Sequence, residues 1–329
     1  MGLSHENRLH RGFPRDYLDG MKRIAILLGF LWVSLLAQST PADAAEQRRV
    51  DHVFIVSFDQ AAPRIIKKSK MPVYKRMAAE GAHTWEARTI VPSLTLPSHT
   101  SMLTGVDVPA HQITWNDYQP LKGQVKVPTL FSMAKARGLT TAMVVGKEKF
   151  KHLNLPGSVD QFLVAGDCTA VAEAFAQTVA PQRPNLCFLH FADPDTVGHK
   201  FGVGSPEQLA ALEKSDKALQ NIKEAVQKAG MTETSVFILT SDHGGHNIVD
   251  PSGKLVGTHG SAELADVLIP WIAWGKGVRK GVLLKVPIKT YDTTATALWL
   301  LGVPVPEKLN GRPVTAAFTP QAATHPARP

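Results

Sequence analysis

Short, nearly unbroken apolar runs alternate with stretches of helical period along this chain, and that alternation narrows its fold more than any other feature. HVFIVSF (His52–Phe58), Thr140–Val145, LCFLHF (Leu186–Phe191), SVFILT (Ser235–Thr240) and Val267–Trp274 are apolar at almost every position. A strand wetted on one face alternates apolar and polar residues. One covered on both faces does not, so these runs read as doubly buried strands. Between them, Pro72–Glu80 reads as a helix stopped by Gly81, and Thr169–Val179 as another. Glu207–Ala229 places Leu209, Leu212, Leu219, Ile222 and Val226 on one face before Gly230. Tyr291–Leu301 is a closing helix. The pattern predicts an α/β fold, a mostly parallel central sheet with helices on both faces. No internal repeat or strong linker interrupts it, so one domain over residues 45–314 is expected, with 315–329 a frayed tail rich in Pro, Ala and Thr.

The first 44 residues read as an address. Lys22 and Arg23 precede the uncharged apolar run Ile24–Ala37, and Ala42-Asp43-Ala44 supplies a small-x-small cleavage pattern. This is the layout of a secretory signal peptide starting at Met21. The run falls short of the about 20 residues of a comfortable membrane span, with an uncleaved anchor as the alternative. The mature chain is therefore expected to be periplasmic or secreted, without a membrane span. Export permits disulfides, but Cys168 and Cys187 are the only cysteines, and Cys187 lies in an apolar run that suits a buried thiol; a bridge stays open. Lys plus Arg exceed Asp plus Glu by 36 − 28 = 8. That balance is compatible with anionic partners, but no basic cluster is interleaved with aromatics, so a nucleic-acid-binding role is not expected.

Chemistry gathers where the apolar runs end. The first run is followed by Asp59, the run at 186–191 by Asp193 and Asp195, and the run at 235–240 by Asp242 and His243. In an open α/β sheet, sites form beyond the carboxyl ends of the strands. Asp195 and His199 lie four residues apart, Gly244 and Gly245 let backbone approach a ligand, and His259 follows in a Thr-His-Gly turn. Carboxylates mixed with imidazoles, without Cys, suit zinc or a similar divalent ion. Three Asp and three His are more than one tetrahedral ion needs and fit two. His246 is a rival ligand, or a solvated loop histidine. For a nucleophile, Thr95 precedes Leu96-Pro97 at a helix start, where a hydroxyl can meet a metal or simply cap the helix. Ser93, Ser98 and Thr100 are local alternatives.

Taken in order, VFIVSFD, PSLTLPSHTSMLTG, HQITWN, FADPDTVGHKFG, SDHGG and THGS resemble the alkaline phosphatase superfamily, and within it the nucleotide pyrophosphatase/phosphodiesterase family. The resemblance covers about Asp51 to Val314. It implies an exported two-zinc hydrolase acting on a small anionic phosphoester through a phospho-threonine. Thr95 would be the nucleophile and Asn116 the donor to a phosphate oxygen. Asp195, His199 and His259 would hold one Zn2+; Asp59, Thr95, Asp242 and His243 the other. No Arg lies beside Asn116, which favours a singly charged diester over a monoester. Gln60 stands where the family commonly has Gly, and only fifteen residues separate His243 from His259, where many members carry an inserted cap. A formylglycine motif is missing around Thr95, which disfavours a sulfatase. The alternatives are a phosphomonoesterase or phosphonate hydrolase of the same superfamily, and a silent binding protein on this fold.

Overall fold

Residues 49–320 are described by the structure, a computed structural model; the leader and residues 321–329 lie outside them. The chain enters through β1 (His52–Phe58), then α1 (Pro63–Lys68), α2 (Pro72–Glu80) and β2 (Ala82–Arg88). Helices α3 (Thr95–Thr104), α4 (Val108–His111) and α5 (Leu130–Lys135) lead to β3 (Thr141–Val145) and the short β4 (Gln161–Val164). Next come α6 (Cys168–Ala174), β5 (Leu186–Phe191), α7 (Asp193–Phe201) and the long α8 (Pro206–Lys228). The remainder is β6 (Ser235–Thr240), a hairpin of β7 (His246–Val249) and β8 (Leu255–Thr258), α9 (Leu264–Val267), β9 (Leu268–Gly275), β10 (Val282–Leu283) and α10 (Asp292–Leu300).

Local sequence explains the longest helix. Ser205 accepts a hydrogen bond from the Gln208 amide, Pro206 takes the first turn, where a missing N–H is harmless, and the apolar stripe ends before Gly230 at φ 67°. The sheet runs β10-β2-β9-β6-β1-β5-β3-β4. Strand β1, buried at every position, shows why its sequence does not alternate. Val53 and Ile55 pack on one face with α3, α5 and α10. Phe54, Val56 and Phe58 pack on the other with α1, α2, α6 and α8. Each such side chain contributes about 1.5–3 kcal/mol by leaving water.

Register aligns the strand ends. Ser57 is level with His190 on β5 and with Thr240 on β6, all three strands parallel. Segments leaving β1, β5 and β6 therefore emerge side by side at one edge.

The sheet is mostly parallel, as expected, with one strand reversed, and two further details differ from the sequence reading. Strand β9 is antiparallel to β6 and to β2. Its connection from β6 stays at the carboxyl edge as the hairpin and α9, so it returns along the sheet instead of crossing over it. The expected helix Thr169–Val179 is α-helical only to Ala174 and continues as a π-helical turn, Phe175–Val179. The tail expected to fray from residue 315 packs as far as Phe318. Its ring sits 5.2 Å from Trp299, and its backbone bridges to Val278, because an apolar slot is open there.

Candidate metal centre

Asp59 leaves β1, Asp195 sits in the first turn of α7 after β5, and Asp242 and His243 follow β6. His199, one turn after Asp195, comes with it on α7; β8 brings back His259. The atoms His199 Nε2, His259 Nε2 and Asp195 Oδ1 form a triangle with edges of 3.1, 3.2 and 3.4 Å. A tetrahedron of donors about 2.0–2.1 Å from its centre has edges of about 3.3–3.4 Å. The second cluster gathers on His243 Nε2, which lies 3.3 Å from Asp59 Oδ1, 3.2 Å from Asp242 Oδ2 and 3.3 Å from Thr95 Oγ1. Asp195 reaches toward this cluster as well, since Asp59, Asp195 and His243 offer ligand atoms within 4.8 Å of one another. The His243 and His259 rings stack at 3.7 Å, which joins the clusters. His199 is half-exposed and opens the mouth, whereas Asp59, Thr95, Asp242 and His243 are buried.

The donor set fits divalent metal. His199, His243 and His259 each place Nδ1 2.8–2.9 Å from a backbone carbonyl, of Gly257, Gly244 and Ser93 respectively. A carbonyl only accepts, so Nδ1 carries the hydrogen and each Nε2 is turned into the cluster, where it offers a lone pair whenever the ring is neutral; the Asp195 hydrogen bond raises the His199 pKa, so that ring gives up its Nε2 proton to bind an ion. The two Nε2 atoms of His199 and His259 lie 3.1 Å apart beside a carboxylate oxygen, a spacing that needs a proton or a cation shared between them. The carboxylates agree. Asp59 Oδ1, Asp195 Oδ1 and Asp242 Oδ2 are buried without a hydrogen-bond partner. Each such orphan costs about 1–3 kcal/mol, more when charged.

The electrostatics are divided. Burial pushes the Asp59 carboxyl up, but the Lys147 charge and the His190 hydrogen bond hold it well below the usual carboxylate range. Asp195 ends below its ordinary value too, despite burial and the Asp59 charge, chiefly through Lys147. Asp242 is raised by burial and by Asp59. His243 is lowered to about 3 by burial, then by His259, which keeps its ring a neutral donor.

Thr95 is the first residue of α3 and not its N-cap; that position is Leu94, with no side-chain cap bond. The amide of Leu96 donates instead to Asn116 Oδ1 at 2.9 Å. Asn116 thus holds the helix start from across the mouth, which leaves its two Nδ2 hydrogens as donors. The other hydroxyls are engaged elsewhere. Ser93 donates to the Ser261 carbonyl, Ser98 accepts from Thr89, and Thr100 donates to the Leu96 carbonyl.

The type I phosphodiesterase / nucleotide pyrophosphatase family, compared as a sequence profile, matches residues 53–292. The chain belongs to this family. Human ectonucleotide pyrophosphatase/phosphodiesterase family member 7 is 23% identical over 266 residues, 73% of this chain and 57% of that protein. Venom phosphodiesterase of Macrovipera lebetinus is 24% identical over 54% of this chain and 23% of that protein. This chain thus spans under two thirds of the length of either relative. Murine ectonucleotide pyrophosphatase/phosphodiesterase 5, an inactive threonine-to-alanine variant solved with AMP, superposes with a TM-score of 0.70 at 16% identity. That superposition covers 82% of this chain and all of that one, and shows the alkaline-phosphatase-like fold.

Gln60 adopts φ 60°, the left-handed region that favours glycine. Its amide donates to Asp242 Oδ1 at 3.2 Å, and its side-chain oxygen accepts from Gln208 at 2.7 Å. Sequence reasoning missed three neighbours of the clusters. Lys147 Nζ lies 2.6 Å from both Asp59 Oδ2 and Asp195 Oδ2. His190 Nε2 lies 3.0 Å from Asp59 Oδ2, and His99 joins the Thr95 carbonyl to Ser57 Oγ, 2.8 Å on each side. Lys147 follows the end of β3, so the strand-end rule would have found it had cations been sought with the carboxylates. His190 and His99 are buried in an apolar run and a helix, where no local signal marks them.

Two residues leave the site. Asp193 accepts from the Cys168 amide at 2.7 Å and pairs with Lys214, so it braces α6. His246 pairs with Asp266 at 2.8 Å and is neither a cluster member nor a free loop histidine. Cys168 and Cys187 are separate buried thiols. Among the described residues no helix is long and apolar enough to cross a membrane.

Proposed function

We propose that this chain is an exported two-metal hydrolase of phosphodiester or pyrophosphate bonds that works through a phospho-threonine on Thr95. The observation that carries the reading is the convergence of three imidazole Nε2 atoms and three orphaned carboxylate oxygens on one sheet edge, beside one hydroxyl. Zinc suits nitrogen and oxygen donors at these separations. Asp195, His199 and His259 would hold one ion, and Asp59, Thr95, Asp242 and His243 the other. Bound there, the ions supply Lewis acidity, lowering the pKa of a hydroxyl and neutralising charge on phosphoryl oxygens.

Thr95 Oγ gives up its proton to solvent and attacks phosphorus, and the leaving oxygen departs with the electron pair of its P–O bond and takes a proton from solvent. Water then attacks the phospho-threonine and returns the Thr95 hydroxyl. Asn116 donates from Nδ2 to a non-bridging oxygen without adding charge. The inactive relative bound to AMP supports both the threonine and a nucleotide-like ligand. The Lys147 charge is taken up by two carboxylates and does not stand free to receive a second substrate charge. Diesters are therefore the preferred class.

The test compares kcat/KM for bis-p-nitrophenyl and p-nitrophenyl phosphate on zinc-loaded protein at one pH. Higher efficiency on the diester supports the reading. A monoester preference above about tenfold assigns the chain to a phosphomonoesterase of the same superfamily.

A further inference from the structure

We propose that Lys147 is a positioning residue that locks the two metal-ligand clusters to each other; the proposal rests on the two-metal reading above. Its ammonium donates to Asp59 Oδ2 and to Asp195 Oδ2, both at 2.6 Å. One carboxylate belongs to each cluster. Neither contact uses the oxygen that faces the histidines. Those oxygens, Asp59 Oδ1 and Asp195 Oδ1, stay without a hydrogen-bond partner. A carboxylate free to rotate about its Cβ–Cγ bond offers either oxygen, or both, to an ion. With Oδ2 pinned, only Oδ1 is presented, and the denticity is fixed.

The backbone carrying Lys147 is itself clamped. A side chain on Gly146 would come within 2.5 Å of the Gly166 carbonyl oxygen and 2.7 Å of Ala192 Cβ, so the turn fits only without one. The Gly146 amide also approaches His190 Nδ1 at 3.4 Å, which places the His190 hydrogen on Nε2, toward Asp59 Oδ2. This is the opposite tautomer to that of the three cluster histidines. Asp59 Oδ2 thus receives two donors, one from β5 and one from the end of β3, and Lys147 extends the second to Asp195. His190 touches only one cluster; Lys147 spans both.

Metal affinity alone does not test this. Removing a cation near the ions favours metal binding by Coulomb's law, while freeing the carboxylates disfavours it. Coordination geometry separates the two. Cobalt(II) is loaded into wild type, Lys147→Met and Lys147→Arg, and its visible d–d absorption is recorded with stoichiometry, kcat and KM for bis-p-nitrophenyl phosphate. Met matches the stem length without donors, and circular dichroism checks the fold. Wild type is expected to bind two cobalt ions with the intense band of four-coordinate metal. Lys147→Met should show a band at least about twofold weaker, from added carboxylate coordination, and kcat about 10–100-fold lower with KM within about twofold. Lys147→Arg, whose fork still donates to both carboxylates, should recover most of the band. An unchanged Lys147→Met spectrum with only KM raised makes Lys147 a substrate anchor and overturns the proposal. So does a Lys147→Arg spectrum as perturbed as that of Met. Wild type binding fewer than two ions instead refutes the two-metal reading, before any variant is compared.

Discussion

His199 and His259 face each other across the mouth of the site with their Nε2 atoms 3.1 Å apart, sixty residues apart in sequence. Each has its other ring nitrogen committed to a backbone carbonyl, so the two Nε2 atoms confront one another with a proton or a cation to share. This pair is the strongest local argument for a cation between them. His259→Ala is expected to lower the zinc content of the folded protein by one ion per chain, because Asp59, Asp242 and His243 are left in place. Elemental analysis after dialysis against zinc-free buffer checks it. Unchanged zinc content would remove His259 from the ligand set.

Asn116 carries two duties that substitution separates. Its Oδ1 holds the Leu96 amide at the start of α3, and its Nδ2 is the proposed donor to phosphate. Asn116→Ala should lose both, with about 0.5–2 kcal/mol of stability gone as for a lost helix cap. Asn116→Asp keeps an acceptor at the helix start and should recover most of that stability, yet stay nearly inactive for want of the donor. Thermal melts and turnover on both variants decide it. An active Asp variant contradicts the donor role.

Thr95 should behave as a nucleophile and not as a cap. Its Oγ1 points to His243 Nε2, and the helix has no side-chain cap at Leu94. Thr95→Ala should melt within about 1 kcal/mol of wild type while turnover nearly vanishes. Thr95→Ser, which keeps a hydroxyl, should retain measurable activity. Trapped phosphoprotein after an acid quench, present in wild type and lost in the Ala variant, is the accompanying signature.

Away from the site, His111 predicts a pH dependence of stability. Its Nδ1 accepts from the Ile113 amide at 3.0 Å and its Nε2 meets Ser101 Oγ at 2.9 Å, an arrangement open only to the neutral ring. Burial lowers its pKa from 6.5 to about 4, although Asp107 opposes the shift. Between those values the unfolded chain binds the extra proton, so this residue's contribution is present above pH 6.5 and is lost as pH falls toward 4. The wild-type stability advantage over His111→Asn should shrink across that window and be flat above pH 7. A difference independent of pH would refute the assignment.

The parts of the fold legible in the sequence divide along physical lines. Strands β1, β5 and β6 are legible to the residue because burial on both faces leaves no polar position to blur their ends. Asp59, Asp195 and Asp242 are legible as strand-end groups because a parallel register places those ends side by side. The direction of β9 is not, since it depends on which side of the sheet its connection takes, and periodicity carries no such information. Strands β4, β7, β8 and β10 span only two to four residues, too few for a period to show. Phe318 reads as part of a loose tail because the slot beside Trp299 exists only in three dimensions. Lys147 escapes notice for a chemical reason: a search for metal ligands has no place for a cation.

Metal-dependent turnover on a phosphodiester tests the central claim most directly. Protein stripped with a chelator and shown to be folded is titrated with zinc while hydrolysis of bis-p-nitrophenyl phosphate is followed. The account predicts no turnover without metal and a rise that breaks at two equivalents per chain, with Thr95→Ala silent throughout. Full turnover in the stripped protein, or a folded Thr95→Ala protein that turns over like wild type at two equivalents, would contradict it.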